Sequence, residues 1–209
     1  MLKDKFGKDL VIGRGDALAI IDMNKDLSQE GGALFIRGIK GEVTPEELID
    51  NLVKINTFAF GYRVAVSAMY EEGHFEFEIY PKHCLEGTSG QEWPEKLLHF
   101  HDNADCLLVK GTEPGVICTP IYTCKFFFDL VRKLRERGIT RIFCGGLSYT
   151  DCLGEAAIAF SVQGFEVYVV RNAARSVPPP RRDAEKMKSK LILYDVKEAY
   201  LDDQDFATS

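Results

Sequence analysis

The chain has 209 residues, 45% of them hydrophobic and 28% charged, enough for one sizeable core and inconsistent with disorder over most of its length. With 26 basic and 32 acidic residues the formal charge is −6, which argues against nucleic-acid binding along a whole basic face. No apolar run reaches the roughly 18 residues that span a bilayer, and residues 1–9 alternate charged and apolar types without a signal-peptide core.

In chain order, the first near-continuous apolar run is Ala17 to Ile21, ending at Asp22. A helix is predicted over Pro45 to Phe58. Thr44 is its N-cap, Pro45 its first residue, and Leu48, Leu52 and Ile55 share one face. Further runs follow at Arg63 to Ala68, at Cys106 to Val109 ending on Lys110, at Arg141 to Cys144 ending in Gly145-Gly146, and at Glu166 to Val170. Helices are expected over Thr123 to Arg137, closed by Gly138, and over Asp151 to Val162, with Gly164 just beyond. Strand–helix–strand repetition with near-continuous strands predicts an α/β domain whose mostly parallel sheet is covered on both faces. We expect one domain over 1–209, with a core at about 17–176 and a C-terminal helix and tail over 181–209.

The stretch from Glu71 to Trp93 has no period, and a loop of that length in a compact domain is usually functional. Ser176 to Arg182 reads as a stiff connection into a short basic helix at Asp183 to Lys190, whose charges, with Arg181 and Arg182, are expected to form a solvated face. The acidic tail from Asp202 is expected to fray. Six cysteines without a CxxC pair read as reduced thiols in a cytoplasmic protein. His99 and His101, in HFHD, are expected in a polar surface turn rather than on a metal.

Ligands of open α/β sheets bind beyond the carboxyl ends of the strands. That singles out Asp22, the residues after Ala68, Lys110 and the turn from Gly145 to Cys152. A carboxylate can accept a thiol proton, a lysine can stabilise thiolate and carboxylate together, and the thiolate can attack a carbonyl carbon. Cys152 falls in the first turn of a helix, where the dipole favours thiolate and backbone N–H groups face an oxyanion. Taken singly, Cys152 reads as a buried structural thiol, Asp22 as a strand-end cap and Lys110 as a surface residue. Three compatible groups at one sheet edge weaken those alternatives.

These residues also carry a resemblance. Ala19 to Leu27 (AIIDMNKDL) resembles the first-strand motif of the isochorismatase-like cysteine hydrolases, and Gly31-Gly32-Ala33-Leu34 is similar to the GGAL of nicotinamidases. Tyr80 to Gly90 (YPKHCLEGTSG) resembles their WPxHCVxGTxG segment, Val109 to Thr112 the strand carrying a catalytic lysine, and Gly146 to Leu153 (GLSYTDCL) the segment carrying the nucleophilic cysteine. The motifs keep the family's order from about Ala17 to Ser176.

The resemblance implies a doubly wound three-layer α/β/α fold with a parallel sheet of about six strands. It implies Asp22 as general base, Lys110 as charge stabiliser and Cys152 as nucleophile. A cis peptide is expected at Leu147–Ser148, with the N–H groups of Ser148 and Cys152 as the oxyanion hole. Leu27, Tyr80 and Leu147 are expected to bind the substrate, Leu27 replacing a phenylalanine of the family and Tyr80 standing where a tryptophan usually stacks on a pyridine ring. The implied partner is a small amide, with no nucleic acid and no membrane, and the chain is expected to be a cytoplasmic homo-oligomer.

The sequence departs from the family at the divalent-metal site, commonly zinc. Met69 falls at the aspartate ligand and Glu71 at the first histidine, while His83 is retained. Methionine is a poor ligand for such an ion. Either Glu71, His74 and His83 form an altered set, to which we lean, or the metal is lost. The implied reaction is hydrolysis of nicotinamide to nicotinate and ammonia through a thioester. The alternatives are a related hydrolase of another small amide or carbamoyl compound, and a non-catalytic relative.

Overall fold

The computed structural model describes residues 1–112 and 120–202. Its centre is an eight-stranded sheet. The strands are β1 (Leu2–Asp4), β2 (Asp9–Leu10), β3 (Asp16–Ile21), β4 (Tyr62–Ala68), β5 (Cys106–Lys110), β6 (Arg141–Leu147), β7 (Glu166–Arg175) and β8 (Lys197–Leu201). They lie in the order β2-β1-β8-β7-β6-β3-β4-β5. The six strands from β8 to β5 run parallel, and the short β1–β2 hairpin extends the sheet antiparallel along β8. The sheet therefore reaches beyond residues 17–176 at both ends.

The pleat sorts the strand side chains between two cores. In β3, Ala17, Ala19 and Ile21 face one layer, while Leu18 and Ile20 face the other. The first layer holds α4 (Phe127–Glu136), α5 (Cys152–Val162) and α6 (Ala184–Leu193). The second holds α2 (Pro45–Asn56) and α3 (Glu95–Asp102). A four-residue turn, α1 (Lys25–Ser28), follows β3. The result is the doubly wound three-layer arrangement expected. Because both faces are covered, the strands carry little alternation and read as apolar runs.

Local chemistry explains several boundaries. Thr44 and Glu47 close a capping box, with Glu47 N–H donating to Thr44 Oγ1 at 3.2 Å and Thr44 N–H to Glu47 Oε2 at 2.7 Å. The expected helix from Thr123 begins instead at Phe127, after a 3-10 turn over Ile121–Thr123 that follows Pro120. The HFHD stretch is not a surface turn but the end of α3, which buries Leu97 and Phe100. Residues 203–209, most of the tail expected to fray, lie outside the described residues. Among the described residues no helix is long and apolar enough to cross a membrane.

Candidate active site

β3 and β6 are neighbours, although the chain between them visits β4 and β5 on one side before returning to build β7 and β8 on the other. This is the topological switch point of the sheet, where a crevice opens beyond the strand ends. Asp22 follows β3, Lys110 ends β5, Leu147 ends β6 and Cys152 opens α5. Two glycines permit the close approach. A Cβ on Gly146 would lie 2.2 Å from the Ile21 carbonyl oxygen, and one on Gly111 would lie 2.5 Å from the Tyr70 ring; φ is +108° and +88°.

Asp22 and Lys110 are buried, and their side chains pair at 2.6 Å between Oδ2 and Nζ. The Lys110 ammonium also donates to Cys152 Sγ at 3.0 Å. Thus the structure brings the carboxylate, the ammonium and the thiol together. Asp22 has a left-handed backbone, φ +52°, a conformation costing about 1–3 kcal/mol that must be held by its surroundings. Its N–H donates to the Val66 carbonyl at 2.8 Å. Asp22 Oδ1 is buried without a well-formed hydrogen bond, leaving an acceptor beside the thiol.

Burial raises the Asp22 pKa, and this is only partly offset by Lys110 and the Cys152 thiol. Burial alone would lower the Lys110 ammonium, but the charges of Asp22 and Cys152 raise it well above its ordinary value. Asp22 is therefore a stronger base than a solvated aspartate, beside a cation that keeps its proton.

The Leu147–Ser148 peptide is cis, as is Pro179–Pro180. The Ser148 carbonyl accepts from the N–H groups of Asp151 and Leu153, both at 3.0 Å. Cys152 is the first residue of α5, in a turn whose N–H groups have no intrahelical acceptor. Asp151 just before it pairs with Arg182 and also accepts from Ser148 Oγ at 3.4 Å.

A cavity of about 400 Å³ opens onto this cluster. The residues expected to bind substrate, Leu27, Tyr80 and Leu147, all line it, as does His83. Asn24 and Asp26 of the first-strand motif prove to be fasteners. Asn24 exchanges two 3.0 Å hydrogen bonds with the Ala68 backbone, and Asp26 Oδ2 accepts from Cys84 N–H at 2.8 Å.

The expected metal set is not assembled. Among the described residues no three of His, Cys, Asp or Glu are placed to hold an ion. Glu71 is exposed. His74 Nδ1 accepts the Glu76 N–H at 3.1 Å, and His83 Nδ1 lies 2.8 Å from the Pro81 carbonyl. The Tyr70 ring packs against both imidazoles, with centroids 4.9 Å and 5.0 Å away. Glu71, which is exposed, and His74, whose Nδ1 is taken, do not join His83 in a set, so the three expected donors do not together fit a divalent ion. His99 and His101 are also engaged locally, with Asn103 and with Asp102 and Trp93.

Sequence reasoning missed Glu76. It sits in a 3-10 turn over Phe75–Glu78, is 1% exposed and lines the cavity. Its charge partly offsets the fall in the His83 pKa that burial causes. Its one sequence signal is an acid between two phenylalanines, which exposed loops rarely need.

No protein-family model matches the chain. Among solved structures it is similar to the PnC1 protein of L. infantum in complex with nicotinate, at 22% identity and TM-score 0.77, covering 90% of this chain and 94% of that one. It is also similar to the pyrazinamidase of Pyrococcus horikoshii in complex with zinc, at 24% identity and TM-score 0.68, covering 90% and 99%. These likenesses establish the fold. An uncharacterised isochorismatase family protein, PncA of Bacillus subtilis, is 30% identical over 165 residues, 77% of this chain and 86% of the relative. With that identity over most of both chains, and with the fold and strand-end cluster in place, this chain belongs to the isochorismatase family.

Proposed function

We propose that the chain is an amidase that hydrolyses nicotinamide to nicotinate and ammonia through a thioester on Cys152. The observation that carries this reading is the contact of Asp22, Lys110 and Cys152 at the floor of one largely apolar cavity. A thiol, a buried base and a fixed cation together suit acyl transfer. The names of the similar structures, a pyrazinamidase and a nicotinate complex, support the substrate class.

In the proposed reaction Asp22 takes the Cys152 proton and the thiolate attacks the amide carbon. The N–H groups of Ser148 and Cys152 receive the developing oxyanion, and Lys110 balances the charge that Asp22 and sulfur exchange. Asp22 returns the proton to the leaving nitrogen, ammonia departs, and a thioester remains. Water then attacks the thioester, its proton passing to Asp22; the carbon–sulfur bond breaks, Asp22 returns that proton to the departing Cys152 sulfur, and the acid is released. Tyr80, Leu27 and Leu147 wall the ring. No step is routed through a metal ion, since no three donors are placed to hold one among the described residues.

Ammonia release from nicotinamide by the purified chain tests the reading. Turnover that vanishes in Cys152→Ala, with an acyl adduct on Cys152 in the wild type, is expected. Its absence would overturn the assignment. A second reading, hydrolysis of a different small amide by the same three residues, is favoured by Met69 and Leu27 standing where the family has an aspartate and a phenylalanine. A panel of amides separates the two.

A further inference from the structure

We infer that the preferred substrate is a small amide carrying an anionic group, held by Arg37 and Arg181 at the rim of the cavity. This rests on the second reading above, hydrolysis of a different small amide by the same three residues, and specifies the class of that amide. The charges around the cavity point this way. Asp22 is neutralised by Lys110, and Asp151 by Arg182. Arg37 and Arg181 also line the cavity and are exposed, but among the described residues no carboxylate pairs with either. Two unpaired guanidinium groups therefore border a cavity in a chain whose formal charge is −6. The remaining acid that lines the cavity, Glu76, is 1% exposed whereas both arginines are exposed, and among the described residues no ion pair joins it to either.

Their placement is structured. Arg37 follows Phe35 and Ile36, both cavity residues, and the Ile36 N–H donates to the Leu27 carbonyl at 2.9 Å. Arg181 lies between β7 and α6 with its guanidinium 5.9 Å from the centre of the Tyr80 ring, over the cavity wall. Val177 and Pro178 add apolar surface beside it. A guanidinium at such a rim binds carboxylate or phosphate oxygens through charge-assisted hydrogen bonds, and the apolar wall weakens solvent screening. Nicotinamide is neutral and would use neither arginine. An amide whose carbonyl sits on Cys152 and whose anionic group reaches the rim would meet guanidinium groups that line the same cavity.

The test is calorimetric titration of full-length Cys152→Ala with succinamate, with phosphonoacetamide and with the neutral methyl ester of succinamate. At least one anionic amide is expected to bind about tenfold more tightly than the ester, as one or two partly screened ion pairs allow. That preference should shrink on adding salt, and it should disappear in the Arg37→Gln, Arg181→Gln background. The first two arms distinguish a carboxylate ligand from a phosphate-like one. Equal binding of all three amides, or a preference that survives the double substitution, would overturn the inference. Ammonia release by the wild-type chain from the same amides is read separately. Anion preference without turnover would fell the amidase reading and leave the rim site standing, whereas turnover without anion preference would do the reverse.

Discussion

Replacing Lys110 by methionine isolates the energetics of the buried pair. Asp22 and Lys110 meet at 2.6 Å with both side chains 3% exposed, and at an effective dielectric of about 20 their attraction is about 6 kcal/mol. Part of that offsets desolvation, so breaking the pair from one side should cost about 3–5 kcal/mol. This is a large share of the roughly 5–15 kcal/mol that stabilises an ordinary domain. The cost should depend on pH. Burial already raises the Asp22 carboxyl above its ordinary value, and without the ammonium it rises further. A carboxyl whose folded pKa exceeds its unfolded one binds more protons in the folded state, so its contribution is complete below the unfolded pKa and is lost as pH rises through the folded one. Lys110→Met should therefore be most destabilised in the neutral and alkaline range and should approach the wild type toward about pH 5. Urea denaturation followed by circular dichroism at about pH 5 and about pH 8 measures this. Adding Asp22→Asn removes the stranded charge and should restore much of the loss near pH 8. A deficit below about 1 kcal/mol at about pH 8, the value of an exposed pair, would refute the reasoning. So would a deficit that does not shrink in acid.

Three further outcomes are expected. Limiting iodoacetamide should label Cys152 before Cys84 and Cys144, as read by peptide mass spectrometry; burial pushes the Cys84 thiol up strongly and the Cys144 thiol up to about 12, while Cys152 is partly exposed against the Lys110 ammonium. Earlier labelling of either buried thiol would count against the nucleophile assignment. Asp22→Asn should lower kcat by about 10² or more in a single-turnover ammonia assay, the usual worth of a general base, and wild-type kcat would show that another group takes the thiol proton. Chelators should leave kcat/KM unchanged and added zinc should not raise it, since no set of three ligands is assembled among the described residues; a chelator-sensitive kcat/KM restored by zinc would refute this.

The strands were legible where burial on both faces made them apolar, as in β3 and β4. Their ends were less so. Gly145 and Gly146 read as a stop after Cys144, yet Gly146 pairs with Ile21 and the strand continues to Leu147. Glycine is a breaker in sequence and here a contact residue, and only the neighbouring strand distinguishes the two. β8, KEAYL, keeps just Ala199 and Leu201 buried, and the β1–β2 hairpin is too short to show a period. In α3 the two histidines of HFHD drew attention away from Leu97 and Phe100, whose spacing of three marks the buried face.

The candidate triad and the loop beside it differed in legibility for a physical reason. Asp22, Lys110 and Cys152 stand at ends of regular elements, where the sheet dictates position and residue type reports chemistry. Glu71, His74, Glu76 and His83 belong to a segment with no such frame, where spacing says little about which side chains meet. Tyr70 shapes it: nearly fully buried, it packs its ring against both imidazoles, while His74 Nδ1 accepts the Glu76 N–H and Glu71 stays exposed, so the three groups that the motif suggested for a metal do not converge. The same loop buries the Glu76 carboxylate against the cavity, a group no motif announces. Chemistry set by the sheet can thus persist while the loop is rebuilt. It follows that changes in this loop should act first on which amide is bound and only secondarily on the transfer step at Cys152.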